Sequence, residues 1–304
     1  MATVPDTRRG LGPGGRIRVD RGALLLSLPA LICVGVLFVF PFLFGIDLSL
    51  RTGARAAGPW TLANYTQFFG DPDQVNTIWT TFRVALPVTI FSVALSVPLA
   101  YVMRHGVKYE RLITSLLILP ITLGTVMVAQ AVLNYFGPVG WVNQVLQALD
   151  LVHEPVRFTH NWLGVEIALF LNGFPLVFVM ILGYMSGIDP ELERASRMLG
   201  AGPGQTFWRV LLPVTLPGLA IAFCLSFVAN FGVFPSATLV GEPEGPTRVI
   251  AIAAYDAAFV QYNPPQGTAI ALLMGVIELA VVGVVLWLRA RTTRTATIRG
   301  GKGA

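Results

Sequence analysis

The polar residues with the clearest chemical capacity form an insert between two long apolar runs. The insert reads Asp189-Pro-Glu-Leu-Glu-Arg-Ala-Ser-Arg-Met-Leu-Gly-Ala201 and is followed by Val210-Leu-Leu-Pro213. Its carboxylates and guanidinium groups can form ion pairs and hydrogen bonds with another protein, and its small side chains permit close approach. The pattern therefore predicts a docking surface for a soluble partner.

The insert also carries the signals of a short helix over residues 190–199. Asp189 is a favoured N-cap and Pro190 a favoured first helical residue, and Gly200 suits the left-handed conformation that follows a helix end. At 1.5 Å per residue, the predicted helix is about 15 Å long. Apolar side chains recur along it at the helical period, and they are Leu192, Ala195 and Leu199.

A second group of candidates lies inside the apolar runs. Glu278 is near the middle of the last run, where an ionisable side chain is costly and usually faces the interior of a helix bundle. It either contacts a transported solute or hydrogen-bonds to a neighbouring helix. Asn172, Asn230 and Phe231 are further candidates for a solute path, although polar residues in such runs often hold helices together.

The sequence gives no sign of catalytic chemistry. No nucleophile–base pair, paired carboxylates or metal-ligand spacing is visible, so neither an enzyme nor a metal site is predicted. The chain also lacks the Gly-x4-Gly-Lys-Ser/Thr phosphate loop. We therefore expect it to bind no cofactor and to leave any use of ATP to another protein.

The elements that position these residues are membrane helices. Hydrophobic residues make up 54% of the 304 residues and charged residues 12%, whereas soluble domains carry about 25% charged residues. Crossing the hydrocarbon core takes roughly 20 apolar residues. The composition predicts an all-α polytopic membrane protein with six transmembrane helices, at 23–46, 84–103, 112–136, 167–188, 210–239 and 268–288.

The distribution of positive charge predicts the orientation. If the N-terminus is cytoplasmic, 16 of the 21 Lys and Arg residues fall on the cytoplasmic side and 5 on the other, as the positive-inside rule requires. Both termini are therefore expected in the cytoplasm. The net positive charge of the chain does not require a nucleic-acid partner, because basic segments beside membrane helices also contact anionic lipid.

Six membrane helices with both termini in the cytoplasm divide the chain into three parts. Residues 1–21 form a cytoplasmic N-terminal tail and 291–304 a cytoplasmic C-terminal tail. Residues 22–290 form a single membrane domain, in which 189–209 is a cytoplasmic loop. The chain is expected in a bacterial plasma membrane as a multi-pass protein.

The loop resembles that of the binding-protein-dependent ABC importer permeases. Their cytoplasmic loop carries Glu-Ala-Ala, three residues, Gly, nine residues and Ile-x-Leu-Pro. The corresponding residues here are Arg194-Ala-Ser196, Gly200 and Val210-Leu-Leu-Pro213, at the same spacing. Ser196 and Val210 are mild departures, whereas Arg194 reverses the charge of the family's glutamate and puts its ion pair in doubt. Leu119-Pro120 and Gly140-Trp-Val-Asn-Gln144 also resemble this family.

The resemblance implies the type I importer transmembrane fold and a set of partners. These are ATPase subunits in the cytoplasm, a second permease that is expected to be a different chain, an extracytoplasmic solute-binding protein and the lipid bilayer. The loop helix would transmit the motion of the ATPase to the membrane helices. The residues assigned to this coupling are Glu191, Glu193, Arg194, Ala195, Arg197, Met198, Gly200 and Ala201.

The substrate is less well defined by the sequence. The segments around Trp141 and Asp189 look most like the spermidine/putrescine-type permeases, and Glu278 would suit a polyamine cation. Sugar, phosphonate, thiamine and iron importers share the same loop and stay as alternatives. A secondary transporter is the rival class, but it would be expected to show paired broken helices and several ion-coupling residues near the midplane.

Overall fold

The computed structural model describes residues 21–52, 58–108 and 110–300, and they are almost entirely helical. Within these ranges there is no strand, only one antiparallel bridge between Arg51 and Trp60. Six helices are long and apolar enough to cross a membrane, which confirms the predicted fold class. They are Leu28–Ser49, Pro72–Met103, Glu110–Ala148, Trp162–Ser186, Pro203–Phe231 and Pro264–Arg291.

All but the last two residues of the first candidate span belong to a unit of their own, because the internal contacts divide the chain between Asp47 and Leu48. The helical segment that contains this span consists of α1 (Arg21–Val34), a π-helical turn (Gly35–Val39) and α2 (Phe40–Ser49). Its 22-residue apolar stretch is about 33 Å long at 1.5 Å per residue. That length is sufficient to cross the hydrocarbon core.

The second unit contains the other five spans and several short helices. Their bounds are α3 (Ala63–Gly70), α4 (Pro72–Met103), α5 (Glu110–Phe136), α6 (Trp141–Ala148), α7 (Trp162–Ser186), α8 (Glu191–Met198), α9 (Pro203–Thr206), α10 (Leu212–Phe231), α11 (Pro235–Val240), α12 (Ile250–Tyr255) and α13 (Pro264–Gly300). Two further π-helical turns, Phe207–Leu211 and Asp256–Val260, precede α10 and follow α12.

Helices α4 and α7 form the centre of this unit. The buried side chains of Val97, Ala100 and Met103 on α4 pack against those of Phe178 and Ile181 on α7. A second cluster joins α3, α10 and α13 through Phe68, Phe227, Phe231 and Ile270. Small hydroxyl residues on the buried side of α4 also permit close helix approach, and they include Thr81, Thr89, Ser92 and Ser96.

The structure corrects two of the predicted spans. The apolar run 210–239 is not one helix, because α10 ends at Phe231 and α11 begins at Pro235. Proline cannot donate the hydrogen bond that would continue α10, yet it is well suited to start a helix. The third span is interrupted at Gly124, whose φ of 75° and ψ of 165° are not helical. Both interruptions lie beside the cavity described below.

The two predicted tails lie mostly at the limits of what the structure describes. Apart from Arg21, the N-terminal tail falls outside the described residues. The backbone of α13 continues as a helix to Gly300, past the predicted start of the C-terminal tail at 291.

Candidate coupling helix and intramembrane cavity

The predicted loop helix is present as α8, and its ends are formed by the predicted residues. The Asp189 carboxylate accepts a hydrogen bond from the Glu191 backbone N–H at 2.9 Å, and thereby satisfies one free donor of the first turn. Gly200 has a φ of +84°, the left-handed conformation that glycine adopts without strain. The observed helix, Glu191–Met198, is slightly shorter than predicted.

A surface helix of a globular protein usually buries its apolar side, but α8 does the opposite. Glu193 and Ser196 are the buried residues of α8. Leu192 and Ala195 face outward, while Met198 is 83% exposed and Leu199 just after the helix is 89% exposed. The predicted apolar stripe therefore lies on the outward side, and we call this side, formed by Leu192, Ala195, Met198 and Leu199, the outer face.

Glu193 lies at the centre of an ion-pair cluster. Its carboxylate is 3.0 Å from the Arg104 guanidinium, 3.0 Å from His105 Nε2 and 3.3 Å from the Arg197 guanidinium. Arg104 and His105 directly follow the end of α4. Arg104 also donates a hydrogen bond to the Ile188 carbonyl at 3.0 Å, so one side chain holds both α8 and the turn before it.

Ser196 provides a second inner contact. Its hydroxyl donates to the Glu193 carbonyl at 2.9 Å and lies 2.9 Å from the Thr206 hydroxyl. Thr206 is the last residue of α9 and is fully buried. Glu193 thus connects α8 to α4, whereas Ser196 connects it to the segment that leads into α10.

The other predicted coupling residues are distributed over the outside of the loop. Arg194 forms an ion pair with Glu191, and both side chains are exposed, so this pair adds little stability. Arg197 is partly exposed beside Glu193. Gly200 is exposed and Ala201 is half-buried.

The predicted path residues Asn172 and Asn230 come together at a cavity of about 310 Å³. It lies where the interruption at Gly124 in α5 meets α7 and the break between α10 and α11. Asn230 is 3% exposed and its amide donates to the Thr89 hydroxyl at 3.1 Å and to the Ser226 hydroxyl at 3.3 Å. Asn230 therefore both lines the cavity and joins α10 to α4.

Glu278 and Phe231 occupy different surroundings. A Cβ at Gly232, which lines the cavity, would be 3.8 Å from Glu278 Oε1, so the half-buried carboxylate lies next to the cavity. Phe231 is fully buried, and its ring packs against those of Phe82 and Phe227 at 5.1 and 5.2 Å. Asn172 and Asn230 thus line the cavity, Glu278 lies beside Gly232 at its edge, and Phe231 is in the core.

Two aromatic residues that the sequence analysis did not single out, Tyr255 and Phe259, adjoin this region through Phe234. Phe234 lines the cavity and also a second one of about 410 Å³. Its ring contacts Tyr255 at 4.8 Å, and Tyr255 contacts Phe259 at 5.0 Å. The four-residue spacing of Tyr255 and Phe259 in an otherwise small-residue segment was the signal available in the sequence.

In the described part of the chain, no group of three or more His, Cys, Asp or Glu side chains is placed to hold a metal ion. The polar groups of the cavity are amides and hydroxyls, which can orient a solute by hydrogen bonding.

Known proteins with sequences similar to this chain include permease proteins of bacterial transport systems. The molybdenum transport system permease protein ModB of Escherichia coli K12 is 29% identical over 230 residues, which cover 74% of this chain and 97% of ModB. The spermidine/putrescine transport system permease protein PotB of Haemophilus influenzae is 26% identical over 229 residues, covering 75% and 79% of the two chains.

Solved structures show the same fold. One chain of a bacterial alginate ABC transporter, in complex with an alginate pentasaccharide-bound periplasmic protein, matches with a TM-score of 0.75 at 20% identity. The match covers 90% of this chain and 96% of that chain. The profile of the family described as "Binding-protein-dependent transport system inner membrane component" matches residues 92–294. Because that match extends over most of the chain, the protein belongs to this family and is a multi-pass inner-membrane permease of the ABC importer type.

Proposed function

We propose that this permease forms the solute path of an ATP-driven importer and is coupled by α8, its coupling helix, to a cytoplasmic ATPase. The observation that carries the proposal is the orientation of α8. Its two buried polar residues, Glu193 and Ser196, are paired with other parts of the same chain, while its outer face exposes apolar side chains. Such a surface at the end of a membrane helix bundle is suited to burial against another protein.

The other partners follow from the same proposal. The solved alginate transporter is in complex with a periplasmic protein, which supports a solute-binding protein on the outer side of this chain. A second permease, expected to be a different chain, would complete the path. ATP would be bound and hydrolysed by the ATPase alone. Membership in the importer family also argues against the secondary-transporter alternative.

Replacing Leu199 by glutamate is expected to weaken ATPase docking without unfolding the permease. The side chain is 89% exposed, so the substitution costs the free chain little, but it would place a charge in an apolar contact. A central interface residue contributes about 2 kcal/mol, or roughly a 30-fold change in Kd. Co-purification of the ATPase and titration of ATPase binding to the permease complex in nanodiscs measure the effect.

Val139→Glu is the matched control. Val139 is 86% exposed and precedes α6, at the other end of α5 from the loop that follows α4. We expect this variant to bind the ATPase as the wild type does. Equal ATPase binding by both variants would show that the outer face of α8 is not the docking surface.

For the substrate, we propose a small polar solute such as a polyamine. The support is Glu278, whose carboxylate lies beside the cavity and would attract a cation in a low-dielectric environment. An oxyanion is a second candidate. The residues that line the cavity itself are uncharged and include Asn172, Asn230 and Ser236, and ModB belongs to a molybdenum transport system.

Glu278→Gln distinguishes the two candidates. If the solute is a polyamine, loss of the charge is expected to lower uptake by about tenfold, equivalent to about 1.4 kcal/mol. If the solute is an oxyanion, uptake is expected to stay the same or to rise, because a repulsive charge is removed. Uptake of spermidine and of molybdate by cells that express the complete importer, compared with Glu110→Gln as a control at an exposed carboxylate, gives the answer.

A further inference from the structure

We propose that Glu193 is a positioning residue that fixes the coupling helix to α4, so that a displacement of α8 moves α4 and α7 as well as α10. This inference rests on the proposed function, since it assumes that α8 receives the motion of the ATPase. It assigns to Glu193 a role inside the permease in place of a contact with the ATPase.

The first argument is burial. The side chains of Arg104 and Glu193 are 6% and 7% exposed, and both carboxylate oxygens of Glu193 face cations of the same chain. A carboxylate enclosed in this way is not presented to a partner. Buried charges are also weakly screened by salt, and removal of one partner leaves the other charge uncompensated.

The second argument is connectivity. Arg104 binds the Glu193 carboxylate and the Ile188 carbonyl with different nitrogen atoms, and His105 adds a contact to the same carboxylate. Two consecutive residues at the end of α4 therefore hold both α8 and the turn that leads into it. The contact spans almost 90 residues of sequence, so it links two parts of the chain that could otherwise move independently.

The third argument is the packing of α4. Its inner end is embedded against α7 through a buried cluster that includes Met103, Phe178, Ile181 and Met185. Packed cores of this kind transmit displacement because they contain few voids. A motion delivered through Glu193 thus reaches α4 and α7 together, whereas the Ser196–Thr206 contact delivers motion to α10.

A double-mutant cycle in the complete importer tests the proposal. Wild type, Glu193→Gln, Arg104→Gln and the double variant are reconstituted with the second permease, the ATPase and the binding protein. The measured quantity is uptake per ATP hydrolysed, for whichever of spermidine or molybdate the wild type imports. We expect each single variant to lower this ratio about tenfold, within the range of site-to-site couplings, with the ATPase still bound.

The double variant is expected to be no worse than either single one, since contacting residues are not additive. Arg104→Lys keeps a positive charge near Glu193. Compared with Arg104→Gln, it is expected to recover most of the wild-type uptake per ATP hydrolysed. Glu110→Gln, which changes an exposed carboxylate at the start of α5, is expected to behave as the wild type.

A second measurement does not depend on the substrate. Spin labels are attached at Val102 on α4 and Leu192 on α8, both exposed, in a chain whose Cys33 and Cys224 have been replaced. The permease is measured without the ATPase, because Leu192 belongs to the outer face. In the wild type we expect one narrow distance. In Glu193→Gln we expect a broad distribution, because α8 is no longer fixed to α4.

Three outcomes would overturn the proposal. Loss of the ATPase from the purified Glu193→Gln complex would show that Glu193 contacts the ATPase directly. A lower melting temperature with an unchanged uptake ratio and label distance would show a purely structural role. Additive effects of the two substitutions would show that they act separately. Failure of the wild type to bind any ATPase would instead contradict the proposed function, which is a distinct result.

Discussion

Gly200→Val is expected to uncouple transport, so that ATP is hydrolysed with little solute uptake. Gly200 has a φ of +84°, and a β-branched residue in this region is a genuine outlier. Strain of this kind costs about 1–3 kcal/mol, equivalent to roughly 5- to 150-fold. Relief of the strain would shift the end of α8 and the outer face beside it. Uptake and ATP hydrolysis in proteoliposomes, measured together, give the coupling ratio.

Gly202→Val is the control for the same loop. Gly202 has φ −69° and ψ 166°, which valine adopts readily, and a Cβ there would meet no atom within 4 Å. We expect Gly202→Val to keep the wild-type ratio of solute uptake to ATP hydrolysis. We expect both variants to insert normally into the membrane. Wild-type uptake by Gly200→Val would contradict the role of the helix end in coupling.

Gly267→Val is expected to reduce the amount of folded permease. A Cβ at Gly267 would lie 2.6 Å from the Ala258 Cβ and 2.9 Å from both the Ala254 carbonyl oxygen and the Ala258 backbone nitrogen. Two of these atoms belong to the backbone, so α13 could accept valine only by moving away from α12 and the π-helical turn after it. Overpacking of this kind costs about 1–3 kcal/mol or more, and thermal unfolding in detergent measures it.

Gly275→Val offers a matched comparison in the same helix. Gly275 lies two turns further along α13, and a Cβ there would meet no atom within 4 Å. We expect this variant to unfold at the wild-type temperature when the chain is studied alone. Equal losses at both positions would mean that close packing at Gly267 does not determine the effect.

The sequence predicted the features that depend on local chemistry. Asp189 caps α8 and Gly200 ends it, because capping needs only the right side chain at the right offset. The six apolar stretches were found because span length follows from bilayer thickness. The motif around Gly200 was also enough to identify the family, since its spacing is unusual.

The features that were missed depend on contacts between distant parts of the chain. Periodicity located the apolar stripe of α8, but it could not show that the stripe faces outward, because the inner partners of Glu193 are Arg104 and His105, which follow the distant helix α4. Hydropathy likewise cannot register a change of backbone direction within an apolar run. The interruptions at Gly124 and before Pro235 are invisible to it, although they shape the cavity.

The separation of the two sides of α8 has a consequence for how such permeases diverge. Glu193 and Ser196 determine where the helix sits, whereas Leu192, Met198 and Leu199 determine what surface it offers. Substitutions on the outer face leave the inner contacts intact. If that face binds the ATPase as we propose, descendants of one ancestral permease can change ATPase partner without rebuilding the membrane bundle. Partner choice and bundle architecture can therefore evolve at different rates within a single short helix.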